Sequence, residues 1–180
     1  MNEHLLGAVL DIGTNSVRLF VAEVIDQDLK PLLREAIVTR LGQGVDATRK
    51  LSESGIRRTL AALVRLIQMI PSQIPVSILA TSAVRDAENR DDFARSVQER
   101  TGISLRILSG DEEAELSFAG AVFSLREYSL PQPITVVDIG GGSTEIYTGL
   151  ANGQLLGGGS AQVGAVRMLE RFITSHPLLH

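Results

Sequence analysis

The chain has 180 residues, a formal net charge of −4, 44% hydrophobic residues and no cysteine, a length sufficient for one ordinary domain or for one and part of a second. The missing cysteines exclude a disulfide framework and any thiolate ligand or nucleophile. The pI near 5.4 argues against a generally electropositive, nucleic-acid-binding surface, and no run of about 18 uninterrupted apolar residues could span a membrane.

The N-terminus, Met1 to Leu6, lacks the basic and then long apolar segment of a secretory signal, so the sequence predicts a soluble, cytoplasmic protein. Ala8 to Ile12 is an apolar strand that ends in Asp11-Ile12-Gly13 and continues as Thr14-Asn15-Ser16. Small hydroxyl and amide side chains beside a glycine suit a turn that can admit an anion. A returning strand (Val17 to Val24) and a third (Leu32 to Thr39) follow, then the glycine-interrupted loop Leu41 to Asp46. A helix entered at Ser52 or Ser54 carries Ile56, Leu60, Leu63, Ile67 and Ile70 at helical spacing and stops at Pro71. Val76 to Ala80 is a short buried strand, and Thr81-Ser82-Ala83-Val84-Arg85-Asp86 follows its C-terminal end, where ligand contacts gather in open α/β sheets.

Asp91 and Asp92 open the next helix, with Phe93 and Val97 inward and Thr101-Gly102 at its close. Ser104 to Leu108 is a strand. Ser109-Gly110-Asp111-Glu112 has the form of a capping box, and Ala114, Phe118, Ala121 and Leu125 read as the inward stripe of the helix it starts. Pro131 and Pro133 mark a linker.

Beyond the linker the opening pattern recurs. Val136-Val137-Asp138-Ile139 is an apolar strand closed by a carboxylate, and Gly140, Gly141, Gly142, Ser143 and Thr144 precede Glu145. Bare glycine amides and hydroxyl donors can approach a phosphate. Asp138 and Glu145 would repel it and each other, by about 4 kcal/mol per pair at 4 Å and an effective dielectric of 20, so a divalent cation, Mg²⁺ first, belongs between carboxylates and phosphate. The plain alternative is a glycine-rich hairpin serving only as sheet punctuation. A returning strand (Glu145 to Gly149), a third (Gln154 to Gly159) and a helix (Gly164 to Ile173) complete the second copy. Repetition at long spacing predicts two similar lobes facing each other, with a phosphate chain gripped from both sides.

Residues 1–130 therefore read as one lobe of βββαβαβα order and 131–180 as the incomplete first part of a second. So short a segment buries its core poorly by itself. It predicts a fragment whose last strands rest on the first lobe or on a second copy in a homodimer; the alternative is a complete single domain with an appended sheet. His4, His176 and His180 read as tail, Gly157-Gly158-Gly159-Ser160 as a flexible turn, and no P-loop signature is present.

Four segments in this order and spacing, Asp11 to Ser16, Ala80 to Arg85, Ser109 to Ala114 and Asp138 to Glu145, resemble the exopolyphosphatase and guanosine pentaphosphate phosphohydrolase (Ppx/GppA) family. Either hairpin alone would fit any member of the wider actin, Hsp70 and sugar-kinase superfamily. The resemblance implies a ribonuclease H-like (actin-like ATPase) α/β lobe with the opening strands and helix of a second similar lobe. It also implies release of terminal orthophosphate from polyphosphate, or from guanosine pentaphosphate to leave the tetraphosphate, with Mg²⁺. Carried over by motif, Glu113 matches the family's general base, Arg85 a phosphate-binding arginine that serves catalysis, and Asp138, Glu145 and Asp11 the acidic metal and water-positioning residues. Gly13, Thr14, Asn15 and Ser16, with Gly140, Gly141, Gly142 and Ser143, match the phosphate-binding turns. Glu115 stands where many members carry arginine.

Each role has a plain competitor. An acid in the first helical turn, as Glu113 is, is favoured by the macrodipole whatever the function, Arg85 could pair with Asp86 or Glu88, and Asp11 could cap its own turn. Two other functions stay open: an ATP-binding kinase or actin-like switch, and a non-catalytic polyphosphate or alarmone binder.

Overall fold

The computed structural model describes residues 5–26 and 28–173; the tail histidines His4, His176 and His180 lie outside the described residues. The chain divides into two compact units, one up to Ile107 and one from Leu108.

The first unit runs β1 (Leu5–Ile12), β2 (Ser16–Ile25), β3 (Asp28–Val38), α1 (Val45–Thr48), α2 (Glu53–Ile67), β4 (Val76–Ala80), α3 (Ser82–Arg85), α4 (Arg90–Thr101) and β5 (Leu105–Ile107). Its five strands lie in the order β3-β2-β1-β4-β5; β2 is antiparallel to both neighbours, and β1, β4 and β5 are parallel. Alternation places Ala8, Leu10 and Ile12 of β1 on one face, in register with the buried Val21, Leu19 and Val17 of β2. Ile78 and Ala80 of β4 extend these rows, and α2 and α4 cover them with Leu63, Leu66, Phe93 and Val97. Register shifts between Val21 and Ala22, opposite Pro31, which has no N–H for the ladder. Ser52 caps α2 through the Gly55 amide (3.1 Å), and Gly102 closes α4 at φ 74, a conformation glycine adopts without strain.

The second unit comprises α5 (Gly110–Ser124), β6 (Ile134–Ile139), β7 (Thr144–Gly149), β8 (Leu155–Ala161) and α6 (Ala165–Phe172), with an antiparallel sheet in the order β6-β7-β8. The capping box is complete: the Glu112 amide donates to Ser109 Oγ (3.1 Å) and the Ser109 amide to Glu112 Oε2 (2.8 Å). Three details differ from the sequence reading. Helix α5, expected within the lobe ending near residue 130, packs on the second sheet: Ala114, Phe118 and Val122 form a core with Tyr147, and Ile134, Val136 and Leu155 rest against it. Its inward stripe runs through Val122, while Leu125 is 40% exposed. The glycine run 157–159, read both as the end of a strand and as a flexible turn, lies in strand β8, paired with β7; a Cβ on Gly158 would stand 2.3 Å from the Ile146 carbonyl oxygen and 2.7 Å from Tyr147 Cα and Cδ1.

Candidate functional site

The two turns singled out in the sequence share one geometry. The Gly13 amide donates to the Ser16 carbonyl (3.0 Å), and the Gly140 amide to the Ser143 carbonyl (2.9 Å). A Cβ at either glycine would stand 3.3 Å from the Ser16 oxygen or 3.1 Å from that of Ser143, a contact that would push the carbonyl back by a few tenths of an ångström.

In the first unit the turn sits at the C-terminal ends of the parallel strands β1 and β4. The Thr81 amide donates to the Ile12 carbonyl (3.3 Å), and the buried hydroxyls of Thr14 and Ser82 are 3.0 Å apart. These bonds bring Asp11, Gly13, Thr14, Asn15 and Ser16 to the same sheet end as α3, whose last residue is the half-buried Arg85. The Arg85 carbonyl accepts from Arg90 Nη1 (3.0 Å). Asp11 is half-buried and lies in register with Arg18. Asn15 is exposed, and its carbonyl accepts the Thr39 and Arg40 amides, both at 2.9 Å.

In the second unit Asp138 of β6 and Glu145 of β7 are direct cross-strand partners, which places their Cβ atoms about 5 Å apart. Asp138 is exposed and accepts from Ser117 Oγ (2.8 Å). Glu145 is only 3% exposed and accepts from Ser160 Oγ (2.7 Å). Glu113 lies one helical turn before Ser117, so both occupy one face of α5. Glu113, Asp138 and Glu145 are therefore held in one unit, and Gly140 to Ser143 is the turn joining the two strands that carry the carboxylates. The Tyr147 hydroxyl reaches Asp111 Oδ1 at 3.4 Å. Burial first, then the negative charge and hydrogen bond of Asp111, then Glu145 and Glu115, push the Tyr147 phenol above its ordinary range.

Sequence reasoning missed Ser117, Ser160, Asp111 and Tyr147. Ser117 follows Glu113 at helical spacing and could have been found; Ser160 meets Glu145 only through the register of β8. A cavity of about 190 Å³ near Val122, Leu125, Tyr128 and Ile134 lies at the far end of α5 from these carboxylates.

No group of three or more His, Cys, Asp or Glu among the described residues could by itself hold a metal ion. Two adjacent carboxylates with hydroxyls on one oxygen each nevertheless suit Mg²⁺, which is usually bound by one or two carboxylates together with substrate phosphates and water. Asp138 and Glu145 fit that partial set; Asp11 belongs to the first unit.

Parallel strands ending in a hairpin turn and a short helix, with a second glycine hairpin between two strands that each carry a carboxylate, define an α/β protein of ribonuclease H-like, actin-like architecture. The sequence profile of the Ppx/GppA phosphatase family matches residues 20–180, and the chain belongs to that family. It is 41% identical to Exopolyphosphatase 2 of Mycobacterium tuberculosis over 94% of its length and 56% of that protein's. The crystal structure of an exopolyphosphatase-like protein matches at a TM-score of 0.89 and 38% identity, covering 97% of this chain and 56% of the other. The Aquifex aeolicus family member matches at 0.78 and 30%, with coverage of 97% and 56%. The chain thus spans little more than half the length of these relatives.

Proposed function

We propose that this chain carries the phosphate-binding turns and the catalytic carboxylates of a polyphosphate phosphohydrolase that releases terminal orthophosphate. The observation that carries the reading is the pair of matching turns, Gly13 to Ser16 and Gly140 to Ser143, the second joined to strands bearing Asp138 and Glu145. Exopolyphosphatase relatives supply the substrate class. Guanosine pentaphosphate is the second substrate, on the family's resemblance alone.

Phosphoryl transfer to water asks the protein for positioning and charge stabilisation more than for covalent chemistry. In the first unit the turn amides and Arg85 would bind phosphoryl oxygens; in the second the turn amides would do the same, and Asp138 and Glu145 would hold water and Mg²⁺. The metal, when bound, would neutralise charge on the phosphate oxygens. Glu113 takes a proton from water as its oxygen bonds to the terminal phosphorus; the bridging P–O bond breaks, and the shortened chain leaves with that electron pair. A base of this kind is worth about 10²- to 10⁴-fold in rate.

Phosphate release should be measured with polyphosphate, guanosine pentaphosphate and ATP, on the chain itself and on a chain extended to the length of its relatives. Polyphosphate is the expected best substrate and Glu113→Gln the expected near-silent variant. Preference for ATP would favour a kinase or switch, binding without release a sensor, and parental activity in Glu113→Gln would remove the base.

A further inference from the structure

In the Gly140–Ser143 turn three successive carbonyls are tied down from behind. The Gly140 carbonyl accepts the Ala165 amide (2.9 Å), that of Gly141 the amides of Val166 (2.9 Å) and Arg167 (3.1 Å), and that of Gly142 Arg167 Nε (2.7 Å). The first amides of α6, which would otherwise lack helical partners, are spent on this turn. In a trans peptide the C=O and the following N–H point in opposite directions. With these carbonyls facing α6, the amides of Gly141, Gly142 and Ser143 face away from it, onto the side a ligand can reach. Gly164, which precedes α6, permits the contact: a Cβ there would stand 2.5 Å from the Gly141 carbonyl carbon and oxygen and from the Gly142 nitrogen.

The first unit reaches the same result with other parts. The Thr14 carbonyl accepts the Gly42 amide (2.8 Å) and the Asn15 carbonyl those of Thr39 and Arg40, which turns the Asn15 and Ser16 amides away from this backing loop. A Cβ on Gly42 would stand 2.3 Å from Thr14 Cγ2, 3.1 Å from Ala83 Cβ and 3.2 Å from the Thr14 carbonyl oxygen.

We propose that Gly164 and Gly42 are positioning residues, each letting a second backbone lie behind a phosphate turn so that its carbonyls are held back and its amides presented to an anion. In this arrangement the start of α6 is the backing of the anion site, in contrast to the common case in which a helix N-terminus itself meets the phosphate. The inference rests on reading the two turns as phosphate sites.

The test titrates inorganic tripolyphosphate into ¹⁵N-labelled chain, following the Gly141, Gly142 and Asn15 amides, with hydrogen exchange at Ala165, Val166 and Gly42 reporting the backing. Gly164→Ala should speed exchange at Ala165 and Val166 and weaken binding at Gly141 and Gly142 by about tenfold or more, the scale of one or two charge-assisted hydrogen bonds, while the Asn15 response persists. Gly42→Ala should do the converse, and adding Thr14→Ser, which deletes the methyl at 2.3 Å and keeps the hydroxyl, should restore binding at Asn15. Arg167→Lys, which keeps the charge and loses the Nε fork, gives a milder loss at Gly142 without adding bulk. Parental affinity in Gly164→Ala and Arg167→Lys, or parental affinity at Asn15 in Gly42→Ala, would overturn the positioning role. A parent chain whose turn amides ignore tripolyphosphate would overturn the phosphate reading itself, and this inference with it.

Discussion

Glu145→Gln separates a catalytic carboxylate from a structural one, because the structure sets opposing terms for folding and function. Carboxylates on cross-strand partners whose Cβ atoms are about 5 Å apart repel by about 3 kcal/mol if they keep that separation at an effective dielectric of 20. Asp138 is exposed, so solvent and salt reduce that repulsion to roughly 1 kcal/mol. Glutamine removes it. The same change turns the Ser160 hydroxyl's bond to Oε1, 2.7 Å long, from charge-assisted to neutral, a loss of about 1 kcal/mol. The terms cancel, the side chain's shape is kept, and thermal stability should stay within about 1 kcal/mol of the parent. Function should not survive so well: a water or cation no longer held at Glu145 lowers phosphate release on the order of 100-fold. A spectroscopic signature accompanies the change. Glu145 is one of the charges that raise the Tyr147 phenol, so tyrosinate absorbance should appear at lower pH in the variant, measured in a Tyr128→Phe background that leaves one of the two tyrosines to titrate. Parental release of phosphate would refute the functional assignment. A stability loss above about 2 kcal/mol would mark Glu145 as structural.

Phe118 is 1% exposed at the centre of a core with few other buried side chains, so Phe118→Ala should cost about 3–5 kcal/mol; hydrogen exchange should show the second unit opening before the first, and uniform opening would count against this. The Tyr147 phenol is raised in the folded chain, so its contribution to stability is complete below the ordinary tyrosine range near 10 and is lost as pH rises through the higher folded value. Tyr147→Phe should remove that alkaline component of unfolding, and unchanged steepness in the variant would show that the phenol is not its source. Ser109→Ala removes half of the capping box and should destabilise by about 0.5–2 kcal/mol, with faster exchange at the Glu112 amide; unchanged exchange there would show that the cap is not engaged in solution.

Strands β1 and β2 were legible because one face is buried and the other is not: Ala8, Leu10 and Ile12 alternate with less buried residues as a half-buried strand must. The turns were legible because Asp-Ile-Gly recurs with small polar residues behind it. What could not be read was which side of α5 faces inward. Phe118, Ala121, Val122 and Leu125 satisfy helical spacing in more than one register, and the choice of Val122 over Leu125 is made by the sheet the helix lands on, which its own period does not contain. The backing glycines were hidden for a related reason. Gly42 and Gly164 have no pattern of their own, and their meaning lies in contacts with Thr14 and Gly141. Ser160 was obscured by its glycines, which offer no alternation to mark a strand.

The two turns also show which part of the design is constrained. Their internal bond is the same, Gly amide to Ser carbonyl, yet their sequences differ, Gly-Thr-Asn-Ser against Gly-Gly-Gly-Ser, and so do their supports, a loop after β3 in one unit and the start of α6 in the other. Side chains at the middle positions are therefore not what the repeat preserves. What persists is backbone polarity: carbonyls bonded on one side, amides turned to the other. An anion held by such amides needs no particular side chain at the turn and gains no sequence readout from it, which suits a phosphate group repeated along a polymer. Selectivity between polyphosphate and a nucleotide must then come from groups outside the turns, and grafting Gly141-Gly142 onto positions 14 and 15 should alter tripolyphosphate affinity less than Gly42→Ala does.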